Sequence, residues 1–276
     1  MRIEQDQSGD FQPAEQAIAR HRDVLMERFP LPPASAAKPR RRGKLALAAV
    51  VAAAAGVAVL WADPAYRTDY LSTPVGHQLT AELADGSRIV LNTDTRLDIA
   101  WHLRSRRVQL HTGQALFDVE HKTYRPFTVE AGDTRVTVVG TMFDVWRKPE
   151  SVQVTVLRGR VKVQSGGEPV YLTENQQVQA VGQQVSAVAA VDAATQTVWK
   201  DGKLMFDRTP LRDALQEMQR YISTRIAPVD DELGSLRVSG VFDTARADAM
   251  LDLLPAILPV AVARDGSNGV VRIKAR

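Results

Sequence analysis

Hydrophobic and polar positions alternate with different periods in successive stretches of the chain. From Leu45 to Trp61, seventeen residues are Ala, Val, Leu and Gly closed by Trp, with no charge among them. A helix rises about 1.5 Å per residue, so this run covers roughly 25 Å, and Ala62 can extend it toward a hydrocarbon core about 30 Å thick. From His77 the pattern becomes a series of short alternating runs separated by turn residues, which predicts strands. Leu79, Ala81 and Leu83 approach the turn pair Asp85-Gly86, and Ile89 and Leu91 leave it, predicting a hairpin. Further strands are expected at 107–111, 115–120, 127–130, 135–139, 142–146, 152–157, 161–164, 170–172 and 177–180. No helical period interrupts this series, so an all-β domain, a sandwich or a rolled, solenoid-like sheet, is expected over 72–185. Gly113, Gly132, Gly140, Gly159 and Gly166 read as its corners.

A low-complexity Ala/Val/Gln stretch from Gly182 to Thr197 precedes a change of period at Trp199, placing a boundary near 190–200 and a second domain over 198–276. A strand over 203–206 leads to Thr209-Pro210, an N-cap followed by proline at the first helical position. Leu211, Ala214, Leu215, Met218 and Ile222 then recur at helical spacing opposite Arg212, Asp213, Gln216, Glu217 and Gln219. Strands are expected at 225–227 and 236–242. Thr244 can cap a second helix carrying Met250, Leu251, Leu253 and Leu254 before Pro255 interferes, and a hairpin over 260–274 closes the chain. The unit is a small α+β domain with two helices on one sheet.

Before the apolar run, residues 1–12 are polar. From Pro13, the residues Ala14, Ala17, Ile18, Val24, Leu25 and Phe29 make a partial apolar face that predicts one short helix ending before Pro30. An isolated helix of this length is marginal in water and needs a surface to fold against. Ile18, Val24, Leu25 and Phe29 are the candidate contacts with a cytoplasmic partner; a helix lying on the inner leaflet or a disordered tether are the alternatives. Leu31 to Lys38 reads as a Pro/Ala-rich spacer.

Charge turns these periods into a topology. Arg40, Arg41, Arg42 and Lys44 precede the apolar run, so the positive-inside rule predicts a single-pass membrane protein: a cytoplasmic arm at 1–44, a transmembrane helix at 45–62, and both later domains outside the cytoplasm. The apolar region of a cleaved signal peptide and a buried helix are the rival readings. Against cleavage, the preceding region exceeds forty residues and the exit through Trp61, Ala62, Asp63 and Pro64 offers no good pair of small residues. The paired arginines before Gly43-Lys44-Leu45 also resemble a twin-arginine export signal. Residues 1–44 hold nine Lys/Arg against six Asp/Glu, whereas 62–276 hold twenty-six of each, so the pI near 9.2 reflects topology and leaves no basic face for nucleic acid. The absence of cysteine removes disulfides, thiolate nucleophiles and Cys-based metal sites, and the exported part must rely on its core.

Enzyme chemistry finds no constellation. His21, His77, His102, His111 and His121 show no metal-ligand spacing; no HExxH, no GxSxG and no phosphate-cradling glycine loop is present. Asp230-Asp231 reads as loop better than as a carboxylate pair. The chain is therefore expected not to be an enzyme and to need no cofactor.

The order of residues in the β stretch carries more than its period: Asp85-Gly86-Ser87 into Val90-Leu91-Asn92, Arg107 before Leu110, Gly113 before Phe117 and Val119, Arg125-Pro126-Phe127 into Val129, then Gly140-Thr141-Met142-Phe143-Asp144-Val145. This series resembles the periplasmic core of FecR-type proteins, transmembrane regulators of cell-surface signalling. Trp199 with Gly202, Leu204 and Phe206, then Pro210-Leu211, Arg220-Tyr221 and Val238-Ser239-Gly240-Val241-Phe242 extend the resemblance to residue 276. The C-terminal β-α-β arrangement is similar to the short domain of secretins and of the N-termini of signalling TonB-dependent receptors.

The resemblance implies an inner-membrane protein with its C-terminal domains in the periplasm. Outside, it would sense the signalling domain of a ligand-loaded TonB-dependent outer-membrane receptor, commonly for iron siderophores or haem. Inside, it would control an extracytoplasmic-function sigma factor, with signalling proceeding by proteolysis, in which membrane proteases end with a cut inside the membrane segment that frees the cytoplasmic arm. As an interaction module the C-terminal unit would offer Leu215, Met218, Val238, Phe242, Leu251 and Leu254, although large apolar residues equally suit a core. The arm departs from the family: it is short and holds none of the four tryptophans, which leaves open whether it activates, inhibits or ignores a sigma factor. A membrane-anchored periplasmic scaffold and an exported polysaccharide-active enzyme are the competing functions.

Overall fold

The computed structural model describes residue 19 and residues 22–29, 42–265 and 269–276, which fall into two units, Met1–Val57 and Ala58–Arg276. In the first, helix α1 (Arg22–Arg28) is flanked by Phe29 and leaves Val24 and Phe29 exposed. Ile18 and the rest of the helix expected from Pro13 lie outside the described residues, as does the Leu25 side chain. A second helix, α2 (Arg42–Ala62), contains the apolar run. Among the described residues no helix is long and apolar enough to cross a membrane.

Fourteen strands of the second unit form one curled sheet: β1 (Ala65–Ser72), β2 (Leu79–Glu82), β3 (Arg88–Leu91), β4 (Arg96–His102), β5 (Arg106–Asp118), β6 (Phe127–Ala131), β7 (Thr134–Val138), β8 (Met142–Arg147), β9 (Val152–Arg158), β10 (Arg160–Ser165), β11 (Val170–Thr173), β12 (Gln176–Val181), β13 (Gln184–Val185) and β14 (Ala189–Ala190). The hairpin expected around Asp85-Gly86 joins β2 to β3, with Gly86 at a φ of +91° that favours glycine. The candidates at 107–111 and 115–120 are one strand, β5. Its first half lies between β4 and the parallel β6, its second half between β3 and β8. The sheet thus folds over itself along β5, and the fold is an all-β roll.

The bend occurs at Gly113, at a φ of +86°. A Cβ there would lie 2.3 Å from Thr95 Oγ1 and 2.6 Å from Thr95 Cα, so glycine is required both by conformation and by the approach of β4. Phe117 stacks on its ladder partner Phe143 with centroids 5.2 Å apart, and across the roll it tilts against Phe127 of β6 at 5.9 Å. All three rings are fully buried; burial of one such side chain contributes about 2–3 kcal/mol, and each ring pair about 1 kcal/mol more. Arg106 is fully buried beside them. Its guanidinium reaches Asp85 Oδ2 at 2.5 Å and the carbonyl of Arg125 at 2.7 Å, so its charge is paired and its donors used. Burial works to raise the Asp85 carboxyl, but hydrogen bonds from Arg106 and Ser87 and the Arg106 charge outweigh it and hold the group below its ordinary value.

Four strands have no counterpart in the expected series: β1, β4 and the two-residue β13 and β14. In β4, Leu97, Ile99 and Trp101 face the core in clean alternation; β1 pairs with β4 but exposes Tyr66 and Tyr70 and buries little, so its period is weak.

The C-terminal part has two small sheets where one was expected: β15 (Lys203–Pro210) with β17 (Arg237–Asp243), and β16 (Arg225–Ile226) alongside β19 (Val270–Ala275) and β18 (Val260–Asp265). Its helices are α4 (Leu211–Gln219), the short α5 (Asp231–Ser235) and α6 (Ala247–Ile257), after a turn of helix, α3 (Ala193–Gln196), in the connecting segment. Thr209 does not cap α4: it pairs with Val238 in the β15–β17 ladder, Pro210 takes the cap position, and the N–H of Leu211 donates to the carbonyl of Leu236 instead. Thr244 opens a 3₁₀ turn that is capped by Asp243, and α6 continues through Pro255 to Ile257.

Gly113→Ala should lower the stability of the second unit by about 3 kcal/mol, from the left-handed backbone and the contact with Thr95 together. Urea unfolding followed by far-ultraviolet circular dichroism should show a lower midpoint at unchanged slope; an unchanged midpoint would mean that the bend does not depend on glycine.

Candidate functional site

The half of the roll built from β3, the end of β5, β8 and β9 is buried on both faces. Ala115, Phe117, Phe143, Val145, Val154 and Val156 point into the roll, as their alternation predicts. On the other face, Val90, Leu116, Met142 and Leu157 pack against the C-terminal part, in a second core with Trp199, Leu204, Leu211, Met218 and Leu254. The strands from 89 to 157 therefore have no solvent face where the C-terminal part lies, and their outward polar residues are enclosed.

Those polar residues form a connected set. Asn92 Nδ2 donates to Gln114 Oε1 at 3.0 Å and to Tyr221 Oη at 2.8 Å. Gln114 Nε2 donates to both oxygens of Asp144, at 3.2 and 3.0 Å. Arg220 Nη2 donates to Gln114 Oε1 at 2.7 Å, and its Nη1 donates to Glu217 at 2.5 Å. Backbone atoms join in: Thr93 Oγ1 donates to the Arg220 carbonyl and Gln78 Nε2 to that of Trp199, each at 2.8 Å. Gly76 meets the Tyr221 carbonyl so closely that a Cβ would stand 3.0 Å from it. The C-terminal contributors lie at the end of α4 and just after it, where Arg220 and Tyr221 turn back toward β5.

Electrostatically the set is poised. Asp144 is buried without a directly bonded cation, and desolvation pushes its carboxyl up to about 7, against the opposing pull of the Gln114 hydrogen bonds and of the nearby Arg220 charge. The buried Trp199 indole N–H lies near this carboxylate and favours its charged form, but makes no hydrogen bond of good geometry. Burial raises the Tyr221 hydroxyl well above its ordinary value. Trp146 receives Arg220 at 4.1 Å and Lys148 at 4.0 Å from its ring centroid; desolvation lowers Lys148 in spite of Glu217 nearby. Beside these residues opens a cavity of about 610 Å³, lined by Thr93, His111, Trp146, Lys148, Arg220 and Ser223 among others. No nucleophile is paired with a base here, and among the described residues no cluster of His, Asp or Glu is placed to hold a metal. Such an arrangement can hold two parts of a molecule in one register and respond to protonation.

The six apolar residues offered as partner contacts occupy a different place. Leu215, Met218, Val238, Phe242, Leu251 and Leu254 are all buried in the second core, where they shape the unit and are not presented at its surface. Of the residues offered in the arm, Val24 and Phe29 are exposed in the first unit, and Ile18 and the Leu25 side chain lie outside the described residues. Asp144, Gln114 and Arg220 were not singled out as a site from the sequence. A lone Asp in an alternating strand reads as a solvent-facing residue, and only the cover supplied by the C-terminal part changes that.

The comparisons with known proteins agree with this architecture. Residues 69–162 match the family model "FecR protein", which bears out the resemblance drawn from residue order. Two crystal structures of a "putative anti-sigma factor" from Parabacteroides distasonis, at 2.50 and 1.65 Å resolution, superpose with TM-scores of 0.63 at 22% identity. They cover 76% and 75% of this chain and 100% and 99% of their own. The fold is therefore shared beyond the segment matched by the family model. No curated protein matches the chain by sequence.

A carboxyl raised in the folded state binds a proton that the unfolded chain has already lost above about pH 4. The stability due to protonated Asp144 is thus complete in acid and is lost as pH rises toward about 7, with no further change above that. Asp144→Asn should flatten this decline and raise the melting temperature at pH 8, measured by differential scanning fluorimetry from pH 5 to 8. Parallel profiles for the two proteins would exclude Asp144 as the titrating group.

Proposed function

We propose that the chain is a membrane-anchored regulator of a sigma factor. In this reading α2 anchors it in the bacterial inner membrane, the roll and the C-terminal unit face the periplasm, and the arm of residues 1–44 meets an extracytoplasmic-function sigma factor in the cytoplasm. The observation that carries the reading is the match of residues 69–162 to the FecR family together with the shared fold of a protein named for anti-sigma activity. The basic excess confined to residues 1–44 supports the orientation, and the exposed Val24 and Phe29 around α1 give the arm apolar groups to present. The input we assign is the signalling domain of a TonB-dependent outer-membrane receptor serving iron or haem uptake, and the output is transcription through the sigma factor, with membrane proteases acting on the segment between.

The exported part is suited to such a task by its junction. An input that favours undocked over docked C-terminal units works against the Asp144–Gln114–Arg220 set, whose buried polar groups lose their partners on separation.

The test uses the full chain, tagged at its C-terminus and crosslinked in its host. A sigma subunit should be recovered with the intact chain and lost when residues 1–44 are exchanged for an unrelated basic arm, and transcription from the dependent promoters should change with the exchange. Recovery of envelope proteins alone, with no transcriptional effect of the exchange, would favour a periplasmic scaffold and overturn the proposal.

A further inference from the structure

The connection between α2 and the roll is short and pinned. Only Asp63 and Pro64 separate Ala62 from β1, and Asp63 is held in place by its surroundings. Its N–H continues the helical pattern to the carbonyl of Val59 at 3.1 Å, while its φ of +42° turns the chain. Its carboxylate accepts from the Arg104 N–H at 2.9 Å and the Ser105 hydroxyl at 2.8 Å, with Arg107 Nη2 at 3.9 Å. Its carbonyl meets the Nδ1 of His102. The end of the helix is thereby locked onto the turn 102–105, which closes through His102 N–H to the Ser105 carbonyl at 3.1 Å.

A second turn lies beside the first. Arg125 N–H closes it onto the Lys122 carbonyl at 3.2 Å, and Arg125 Nη2 donates to the carbonyl of His102 at 2.5 Å, so the turns 102–105 and 122–125 are bound together. The buried Arg106 grips the Arg125 carbonyl from below. The residues this rim presents are unusual for a soluble surface. Leu103 is 54% exposed, Tyr124 93% and Trp61 85%, and Tyr66 next to the lock is exposed as well. Trp61 and Tyr124 are the two most exposed aromatic residues described, and both lie at this end of the roll. Lys122 and Arg107 stand among them, and the Asp63 carboxylate is already tied, as is Asp69 on β1 by Arg67 and Trp101. Exposed aromatic and aliphatic side chains interleaved with Lys and Arg suit the headgroup layer of an anionic bilayer, where amphipathic rings and cations both find partners.

We infer that this rim is a membrane-seating surface: Leu103 and Tyr124, with Trp61, enter the headgroup region of the outer leaflet at the point where α2 leaves it, and Lys122 and Arg107 meet the lipid phosphates. The inference rests on the reading of α2 as an anchor. It goes further in giving the roll a fixed face toward the bilayer, where a flexible tether would give none. The lipid is chosen over a protein partner because the rim is continuous with the end of the apolar helix and two residues of chain keep it there.

The chain has no cysteine, so single cysteines can be introduced for spin labelling without a background. Leu103→Cys, Tyr124→Cys, Val51→Cys and Leu253→Cys are labelled in the full chain, reconstituted in nanodiscs of phosphatidylethanolamine and phosphatidylglycerol. Relaxation by oxygen and by a water-soluble nickel complex is then compared. Labels at 103 and 124 should show a severalfold higher oxygen-to-nickel ratio than the label at 253 on α6, approaching that of position 51 in the apolar run. Water-exposed labels at 103 and 124 with a lipid-immersed label at 51 would overturn the seating and leave the anchor intact. Water exposure at 51 as well would overturn both. Protection from both reagents, with spin–spin broadening between labels, would mean that a second copy covers the rim and would equally overturn the proposal.

Discussion

One strand of thirteen residues serves four neighbours, and the roll depends on the bend between its two halves. Strand β5 pairs with β4 and β6 along one half and with β3 and β8 along the other, and Gly113 is the residue at which it passes from one pair to the next. Without the turn, Phe127 would not meet the paired Phe117 and Phe143, and the sheet would keep an open face with no second layer. The same bend aims the second half of β5 at the C-terminal part, so that Gln114 and Leu116 find partners there. One backbone conformation thus sets both cores.

The two cores are not equivalent in chemistry. The roll is closed by apolar side chains with Arg106 and Asp85 paired inside it, an arrangement whose charges neutralise each other. The junction instead encloses Asp144, whose nearest donors belong to an amide, and it relies on Arg220, a residue from the other side, for compensating charge. Apolar contacts such as Leu116 against the second core favour docking without demanding one geometry, whereas the linked amides, phenol and guanidinium accept only one. Where regulation needs two arrangements of the same parts, a polar seam of this kind sits closer to balance than an apolar one.

Much of the fold was legible in the residue pattern. The hairpin at Asp85-Gly86, the strands from β6 to β12 and the helix carrying Leu211, Leu215 and Met218 follow from period and turn chemistry, which are local properties. What failed was non-local. Strand β1 holds exposed tyrosines and derives its place from pairing with β4, and the two sheets of the C-terminal part differ only in which strand edges meet. Thr209 looked like a cap because its neighbours fit one, but the ladder with Val238 claimed its backbone. The residues of the junction were hidden for a related reason: alternation assigns Asp144 to the outer face correctly, but nothing in the strand itself says that another part of the chain will cover that face. For the same reason Leu215, Met218, Val238, Phe242, Leu251 and Leu254 could be read as contacts until their burial was seen.

The lock at Asp63 has a mechanical side. Two extended residues reach only about 7 Å, so there is no slack between α2 and the first strand to uncoil under load. A pull on the roll through α2 falls first on the hydrogen bonds from Arg104 and Ser105 and on the pairing of Ala65 with His102. When those contacts give way, β1 is the strand they release, and it has β4 as its one neighbour in the sheet. The roll is in this sense arranged to release β1 first, from the end nearest the helix, before any strand that carries core residues.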